Sequence, residues 1–196
     1  MLRALILALA CLAPPVWARD VQVVPGPGAL AEAIAGASPG DVLLLSDGAY
    51  PGPVTIDRSL TIRGPKRAVV DGTGQGTVIT VTAPDVVLEG FTVTGSGGVN
   101  ADLDAGVKIV KGADRVLVSG LYLTDNMHGI DIHGGRDVRV AGNVIEGRQN
   151  PRMNERGNGF YVWNSPGALV EGNDIRWGRD GIFSNTSEDS IYRGNL

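Results

Sequence analysis

Cysteine and histidine are almost absent from this sequence of 196 residues. The single cysteine is Cys11, and the two histidines are His128 and His133. Cys11 lies in an apolar segment near the start of the chain. A chain cleaved after Ala18 therefore has no cysteine, which excludes a disulfide, a thiolate nucleophile and a thiolate metal ligand.

Positive charge and long apolar runs are also scarce. Lysine and arginine number 17 against 21 aspartate and glutamate residues, which gives a formal net charge of −4. This balance argues against a nucleic-acid partner. After the first twenty residues, no stretch of the sequence is long and apolar enough to span a bilayer.

The first eighteen residues have the features of a secretory signal. Arg3 supplies a positive start, residues 4–12 an apolar core, and residues 16–18 a small-x-small cleavage site. We predict that residues 1–18 are removed and that residues 19–196 form one domain in the bacterial periplasm. Lipoprotein cleavage before Cys11 is the weaker alternative, because the three residues before Cys11 make a poor lipobox.

Glycine is abundant, with 29 residues, and it recurs at a fixed spacing in the second half of the chain. Short apolar runs begin at Gly106, Gly129, Gly159 and Gly181, and later runs close at Gly120, Gly142, Gly172 and Gly194. The closing glycines are 22, 30 and 22 residues apart, so the base period is 22 with one insert. Strand-like alternation at this period predicts an all-β, right-handed parallel β-helix with three short strands and about 22 residues per coil.

Aligning the repeats predicts which side chains share a column along the helix. The predicted inward columns are Val107, Ile130, Phe160 and Ile182, and Ile109, Ile132, Val162 and Ser184. An asparagine follows three of the closing glycines, which predicts a stack of Asn143, Asn173 and Asn195 at an inner corner. There, side-chain amides can bond to each other and to the turning backbone.

Three further segments complete the predicted domain. Residues 29–35 (ALAEAIA) form a short helix, which we expect to cap the open N-terminal end of the stack. Residues 41–62 contain the short strands of a first, irregular coil. Inserts at residues 95–105 and 147–158 leave the same corner two coils apart, so they should project side by side and carry function. The sequence stops at Leu196 in mid-coil, and we therefore expect it to be the N-terminal part of a longer protein.

The outward columns predict an unusual surface. Tyr161, Trp163 and Phe183 would cluster on one exposed face, which indicates a docking surface for a protein or a sugar. In the alternative interpretation, a loop from a further C-terminal part of the protein covers this face.

Histidine and methionine provide the candidate metal ligands. Met127, His128, His133 and Met153 combine imidazole and thioether groups, which suit Cu(I). Asp131 lies two residues before His133 on a strand, so the two side chains share a face. The alternative is that His128 is a corner residue and that His133 forms a surface hydrogen bond.

Right-handed β-helices also include polysaccharide lyases, hydrolases and epimerases. Such sites need paired carboxylates, or carboxylates with Ca²⁺ and a base, on one outer sheet. Asp131 is the single acid in the two outward columns, and the sequence has no Asp-Asp pair. A sugar-active enzyme is therefore the alternative function, and a purely structural or adhesive solenoid is a third class.

Four segments resemble a known family. Residues 158–166 (NGFYVWNSP), 170–173 (VEGN), 178–184 (GRDGIFS) and 192–195 (YRGN) are similar to NosD, the periplasmic maturation proteins of nitrous oxide reductase. The resemblance implies a parallel β-helix that is exported to the periplasm. It also implies a non-enzymatic role in delivering copper to nitrous oxide reductase.

The resemblance implies partners as well. They are the membrane component of an inner-membrane ABC transporter and nitrous oxide reductase, with a copper chaperone as a further candidate. ATP would be hydrolysed by the transporter, because this chain has no Gly-rich phosphate-binding loop with a lysine. The family's own copper-binding segment would lie beyond Leu196.

Overall fold

The computed structural model describes residues 18–150 and 152–196. The predicted signal segment, apart from Ala18, lies outside the described residues. Within the described part of the chain, no helix is long and apolar enough to cross a membrane.

Short parallel strands make up most of the described chain. The helices are α1 (Ala29–Gly36) and a 3-10 helix (Met153–Glu155). The strands are β1 (Asp20–Val23), β2 (Val42–Leu45), β3 (Gly48–Pro51), β4 (Val54–Ile56), β5 (Thr61–Arg63), β6 (Ala68–Asp71), β7 (Ile79–Val81), β8 (Val87–Glu89), β9 (Thr92–Thr94), β10 (Ala105–Val110), β11 (Leu117–Ser119), β12 (Tyr122–Asn126), β13 (His128–His133), β14 (Arg139–Ala141), β15 (Val144–Gly147), β16 (Phe160–Trp163), β17 (Leu169–Glu171), β18 (Asp174–Arg176), β19 (Ile182–Asn185) and β20 (Ile191–Arg193).

The strands stack into three parallel sheets. Sheet A has the order β1-β2-β5-β8-β11-β14-β17-β20, sheet B β3-β6-β9-β12-β15-β18, and sheet C β4-β7-β10-β13-β16-β19. The chain visits the sheets in the order A, B, C, so β2–β4 form coil 1 and β17–β19 form coil 6. This architecture confirms the predicted right-handed parallel β-helix.

The inward columns are the columns that the repeat predicts. Val107, Ile130, Phe160 and Ile182 are in register, as are Ile109, Ile132, Val162 and Ser184. The members in β10, β13 and β16 are fully buried in one apolar core, whereas Ser184 in the last coil is exposed. Burial of this continuous column is the main stabilising term, since each coil alone has too little apolar surface to bury.

The glycines that open the repeats allow close packing at the corner between sheets B and C. A Cβ atom built on Gly129 would lie 2.5 Å from the carbonyl oxygen of Gly159 and 2.5 Å from Cγ2 of Ile145. Any larger residue would therefore push adjacent coils apart at this corner.

The asparagine stack forms a hydrogen-bonded ladder. Asn143 donates its side-chain amide to Oδ1 of Asn173 over 2.9 Å, and Asn173 donates in the same way to Asn195 over 2.9 Å. Backbone N–H groups also donate to the ladder, from Asn143 to Asn173 and from Asn173 to Asn195. The predicted inner-corner stack is therefore present, and its members satisfy each other.

The predicted capping helix is also present and is one residue longer than expected. Leu30 and Ile34 of α1 are buried and belong to the common apolar core. The helix contacts β1, β3 and β4, so it covers the apolar interior of coil 1.

The first coils are more regular than the sequence suggested. Residues 41–62 were predicted to be one irregular coil, but coil 1 is complete at Ile56 and Thr61 begins coil 2. The prediction was wrong because it missed β3, and because Thr61 pairs with Val42 of β2 and so starts a second coil. The sequence reasoning also missed β6, whose polar flanks hide its alternation.

Candidate functional site

The outer face of sheet C carries the candidate site. Its register aligns Lys108, Asp131, Tyr161 and Phe183 in one column, and Val110, His133, Trp163 and Asn185 in the next. Both columns therefore run across β10, β13, β16 and β19 as the repeat predicts.

Three aromatic side chains form a contiguous group on this face, which we call the aromatic surface (Tyr161, Trp163 and Phe183). The ring of Tyr161 stacks on Phe183 with centroids 5.0 Å apart, and it stacks on Trp163 at 6.4 Å. His133 extends the group, since its ring lies 6.4 Å from Tyr161 and 6.5 Å from Trp163. The predicted cluster is therefore present, and about a third of Trp163 (36%) is exposed.

A buried carboxylate lies beside the aromatic surface. Asp131 has an outward position, yet none of its surface is exposed. Nζ of Lys108 lies 3.3 Å from one carboxylate oxygen, and Nδ1 of His133 lies 3.7 Å from the other. Burial raises the pKa of Asp131, while the charges of Lys108 and His133 oppose that rise. Lys108 is therefore the counter-charge of a carboxylate that has no hydrogen-bond partner among the described residues.

His128 lies between the two inserts and joins them. Nε2 of His128 is 2.9 Å from Oδ1 of Asn100 in the first insert. Nδ1 accepts a hydrogen bond of 3.1 Å from the backbone N–H of Asn158 in the second insert. The proton therefore sits on Nε2, and both ring nitrogens are occupied. Burial, followed by the charges of Arg179 and Lys108, lowers the pKa of His128 to about 4.

Arg148 makes a second connection between the inserts. Its Nη2 donates to the carbonyl oxygen of Ser96 in the first insert over 2.6 Å, and its Nε donates to Asp125 over 3.0 Å. Together with His128, this contact holds the inserts side by side at the corner between sheets B and C. The arrangement agrees with the sequence expectation.

The four predicted copper ligands lie at different places around β13. His128 and His133 begin and end this strand, and both rings border Tyr161, with centroids 6.0 Å and 6.4 Å from the tyrosine ring. Met127 is buried beside His128, whereas Met153 is exposed in the second insert. Among the described residues, no group of three or more histidine, aspartate or glutamate side chains is arranged to hold a metal ion. Copper binding by these residues stays a prediction.

Sequence reasoning missed the polar residues that organise the site. The pairing of Lys108 with the carboxylate of Asp131 was not foreseen, although the repeat aligns these two residues. Asn100 and Asn158, which bond to His128, lie in the inserts, where no repeat fixes their partners. The signal that could have found this pair was a lysine at the repeat position of Asp131, one coil earlier in the chain.

Solved structures share this fold. An alginate lyase from Paenibacillus has a TM-score of 0.75 at 21% identity, with 90% of this chain and 65% of that chain covered. A putative glycosyl hydrolase from Parabacteroides merdae has a TM-score of 0.70 at 15% identity, with 90% and 95% covered. The pectate lyase Pel9A has a TM-score of 0.65 at 18% identity, with 80% and 47% covered. The chain thus has the right-handed parallel β-helix fold, and these distant likenesses show the fold alone.

The sequence matches are more specific. The family model described as "Periplasmic copper-binding protein (NosD)" matches residues 141–196. The chain is 36% identical over 137 residues to a "Probable ABC transporter binding protein NosD" of Stutzerimonas stutzeri and 34% identical over 137 residues to that of Pseudomonas aeruginosa. Each alignment covers 70% of this chain but only 31% and 32% of those proteins. The family resemblance is confirmed: this chain is a relative of the NosD proteins, and the matched region spans about a third of their length.

Proposed function

We propose that the chain belongs to a periplasmic accessory protein that acts with an ABC transporter in delivering copper to nitrous oxide reductase. The observation that carries the proposal is the aromatic surface, present on a chain whose relatives are named ABC transporter binding proteins. The family model's description as periplasmic and copper-binding supports the compartment and the cargo. A copper chaperone is a further candidate partner.

In this proposal, the β-helix is a rigid scaffold and the aromatic surface binds the membrane component of the transporter. Large aromatic side chains dominate the binding energy of protein interfaces, particularly when they lie at the centre of a patch. The pair of Lys108 and the buried Asp131 lies beside this surface, and Lys108 also donates to the carbonyl oxygen of Asp102 in the first insert.

Trp163→Ala is expected to weaken co-purification of the transporter's membrane component about tenfold, because an interfacial tryptophan contributes more than about 1 kcal/mol. The matched control is Trp177→Ala. Trp177 is more exposed than Trp163 (49% against 36%), but it follows β18 of sheet B, and its ring contacts Arg156 of the second insert instead of the rings of the aromatic surface. Equal retention of the transporter by the Trp163→Ala chain and the unchanged chain would contradict the docking role.

For the copper cargo, we propose that Met127, His128 and Met153 form one candidate group at the insert corner, with His133 separate. An ion that binds His128 must displace one of its two hydrogen bonds. In an anaerobic Cu(I) titration against a chromophoric competitor, Met153→Ala is expected to weaken binding about tenfold by removing one thioether ligand. The neighbouring exposed residue gives the control, Asn154→Ala. Identical titrations for the unchanged chain and the Met153→Ala chain would remove this group from consideration.

A polysaccharide lyase, hydrolase or epimerase is the second candidate. It is favoured by one observation: Lys108, Asp131, His133 and Tyr161 bring ionisable groups together on the outer face of one sheet. Asp131 is fully buried, however, so it would act only through Lys108 or His133. Release of reducing or unsaturated ends from alginate or pectate by the chain, and its loss in His133→Ala, would favour the enzyme over the accessory protein.

A further inference from the structure

A basic pocket opens next to the aromatic surface, at the corner where the chain leaves sheet C. It has a volume of about 350 Å³ and is lined by Lys111, Gly112, Asp114, Gly134, Arg136, Asn164 and Pro166. Gly134 directly follows His133, and Asn164 directly follows Trp163. The pocket therefore continues from the edge of the aromatic surface.

The corner residues explain why a concavity forms here. Gly112 and Gly134 have φ angles of 93° and 90°, in the left-handed region that favours glycine. A Cβ atom on Gly112 would meet no atom within 4 Å, so this position contributes only backbone beside open space. One coil further, Asn164 and Pro166 provide side chains and close one wall. Glycine at two successive corners, next to a corner that carries side chains, therefore leaves the space that forms the pocket.

The charges of the pocket distinguish it from the rest of the surface. Most arginines of the described chain form ion pairs with carboxylates, but Lys111 and Arg136 have no acidic group within ion-pair distance among the described residues. Asp114 accepts a hydrogen bond of 3.0 Å from the backbone N–H of Arg136, and it also contributes to raising the pKa of Arg115. Two cations against one engaged carboxylate leave the pocket positive in a chain whose formal net charge is −4.

We propose that this pocket binds a carboxylate, and that its source is an acidic side chain of the protein docked on the aromatic surface. Lysine and arginine side chains, with an amide at Asn164, are the groups that recognise carboxylates in proteins. Because the pocket lies at the edge of the aromatic surface, one partner can place an apolar segment on the rings and an acidic side chain in the pocket. The choice of partner rests on the proposed function, whereas carboxylate binding does not.

Binding of a carboxylate to the pocket is tested first, without any partner protein. The ¹⁵N-labelled full chain is titrated with the α-amide of N-acetylglutamate, and the backbone amide signals of Gly112, Gly134 and Asn164 are followed by NMR. We expect saturable shifts at these three positions with a Kd on the order of millimolar, as a single exposed charge contact gives. The α-amide of N-acetylglutamine has the same shape without the charge and should leave the signals in place.

Charge reversal then locates the binding groups. Lys111→Glu combined with Arg136→Glu should weaken the N-acetylglutamate contact at least about tenfold. Lys66→Glu is the matched control, since Lys66 is exposed and is also outside any ion pair of the described residues. Equal shifts with the glutamate and glutamine compounds, or equal affinity in the doubly reversed chain, would overturn the carboxylate site.

Co-purification of the transporter tests whether the carboxylate comes from the docked partner. The doubly reversed chain is expected to retain several-fold less transporter than the Lys66→Glu chain, and added salt should reduce the difference. If Trp163→Ala abolishes retention while the double reversal leaves it unchanged, the acidic side chain of the partner is excluded as the source. If neither change affects retention, docking at this face fails, although the NMR result still decides carboxylate binding.

Discussion

Replacing Lys108 with methionine is expected to lower the free energy of unfolding by about 3 kcal/mol. Lys108 is the closest counter-charge of Asp131, whose carboxylate is fully buried and has no hydrogen-bond partner among the described residues. Removing one partner of a buried ion pair leaves an uncompensated charge, and such changes cost roughly 3–5 kcal/mol. The lower end applies because Lys108 retains some exposure to solvent. Denaturant unfolding at neutral pH measures the effect.

A second substitution separates charge from packing. In the Lys108→Met background, Asp131→Asn removes the unpaired charge with little change in shape, and it should restore most of the lost stability. Lys108 also donates to the carbonyl oxygen of Asp102 in the first insert, and that contact stays lost in both variants. If the double variant is as unstable as Lys108→Met alone, the loss comes from the insert contact and not from the buried carboxylate.

Asn173→Ala should be similarly costly, lowering the free energy of unfolding by about 3 kcal/mol. The side chain of Asn173 donates to the carbonyl oxygen of Val140 and accepts from both the backbone and the side chain of Asn143. Alanine removes all of these bonds and leaves the side-chain amide of Asn143 with only its bond to the carbonyl oxygen of Val118. Each buried polar group that is left unsatisfied costs roughly 1–3 kcal/mol. Thermal or denaturant unfolding of the purified chain measures the change.

The control for the ladder is Asn185→Ala, in the same coil. Asn185 is exposed, and its side chain accepts only from the neighbouring Thr186, so its loss should change stability by less than about 0.5 kcal/mol. A cost for Asn173→Ala no larger than that of Asn185→Ala would mean that the ladder adds no stability.

The repeating part of the fold could be predicted from the sequence because one rule applies in every coil. The period of 22 residues and the recurring glycines, which locate the insert, set the strand register, and the register then places Ile130 beside Phe160 and Asp131 beside Tyr161. The asparagine ladder follows from the same rule, since Asn143 and Asn173 occupy one repeat position. The aromatic surface could also be predicted, because its members are consecutive in two outward columns.

The non-repeating contacts could not be predicted. The bonds from His128 to Asn100 and Asn158 join segments that have no equivalent in other coils, so no column aligns them. The burial of Asp131 also escaped prediction, because an outward position on a sheet is normally solvated, and here neighbouring side chains cover it. The contacts of the inserts and of the side chains around them therefore could not be predicted from the sequence, whereas the stacking of the coils could.

The central claim is that a transporter component docks on the outer face of sheet C, and site-specific photo-crosslinking tests it most directly. A photoreactive phenylalanine analogue is placed at Tyr161 in one chain and at Trp177 in another, and each chain is irradiated in cells that contain the transporter. The account predicts a crosslink to the transporter's membrane component from position 161 and none from position 177. A crosslink from position 177 alone, or from neither position while co-purification persists, would contradict it.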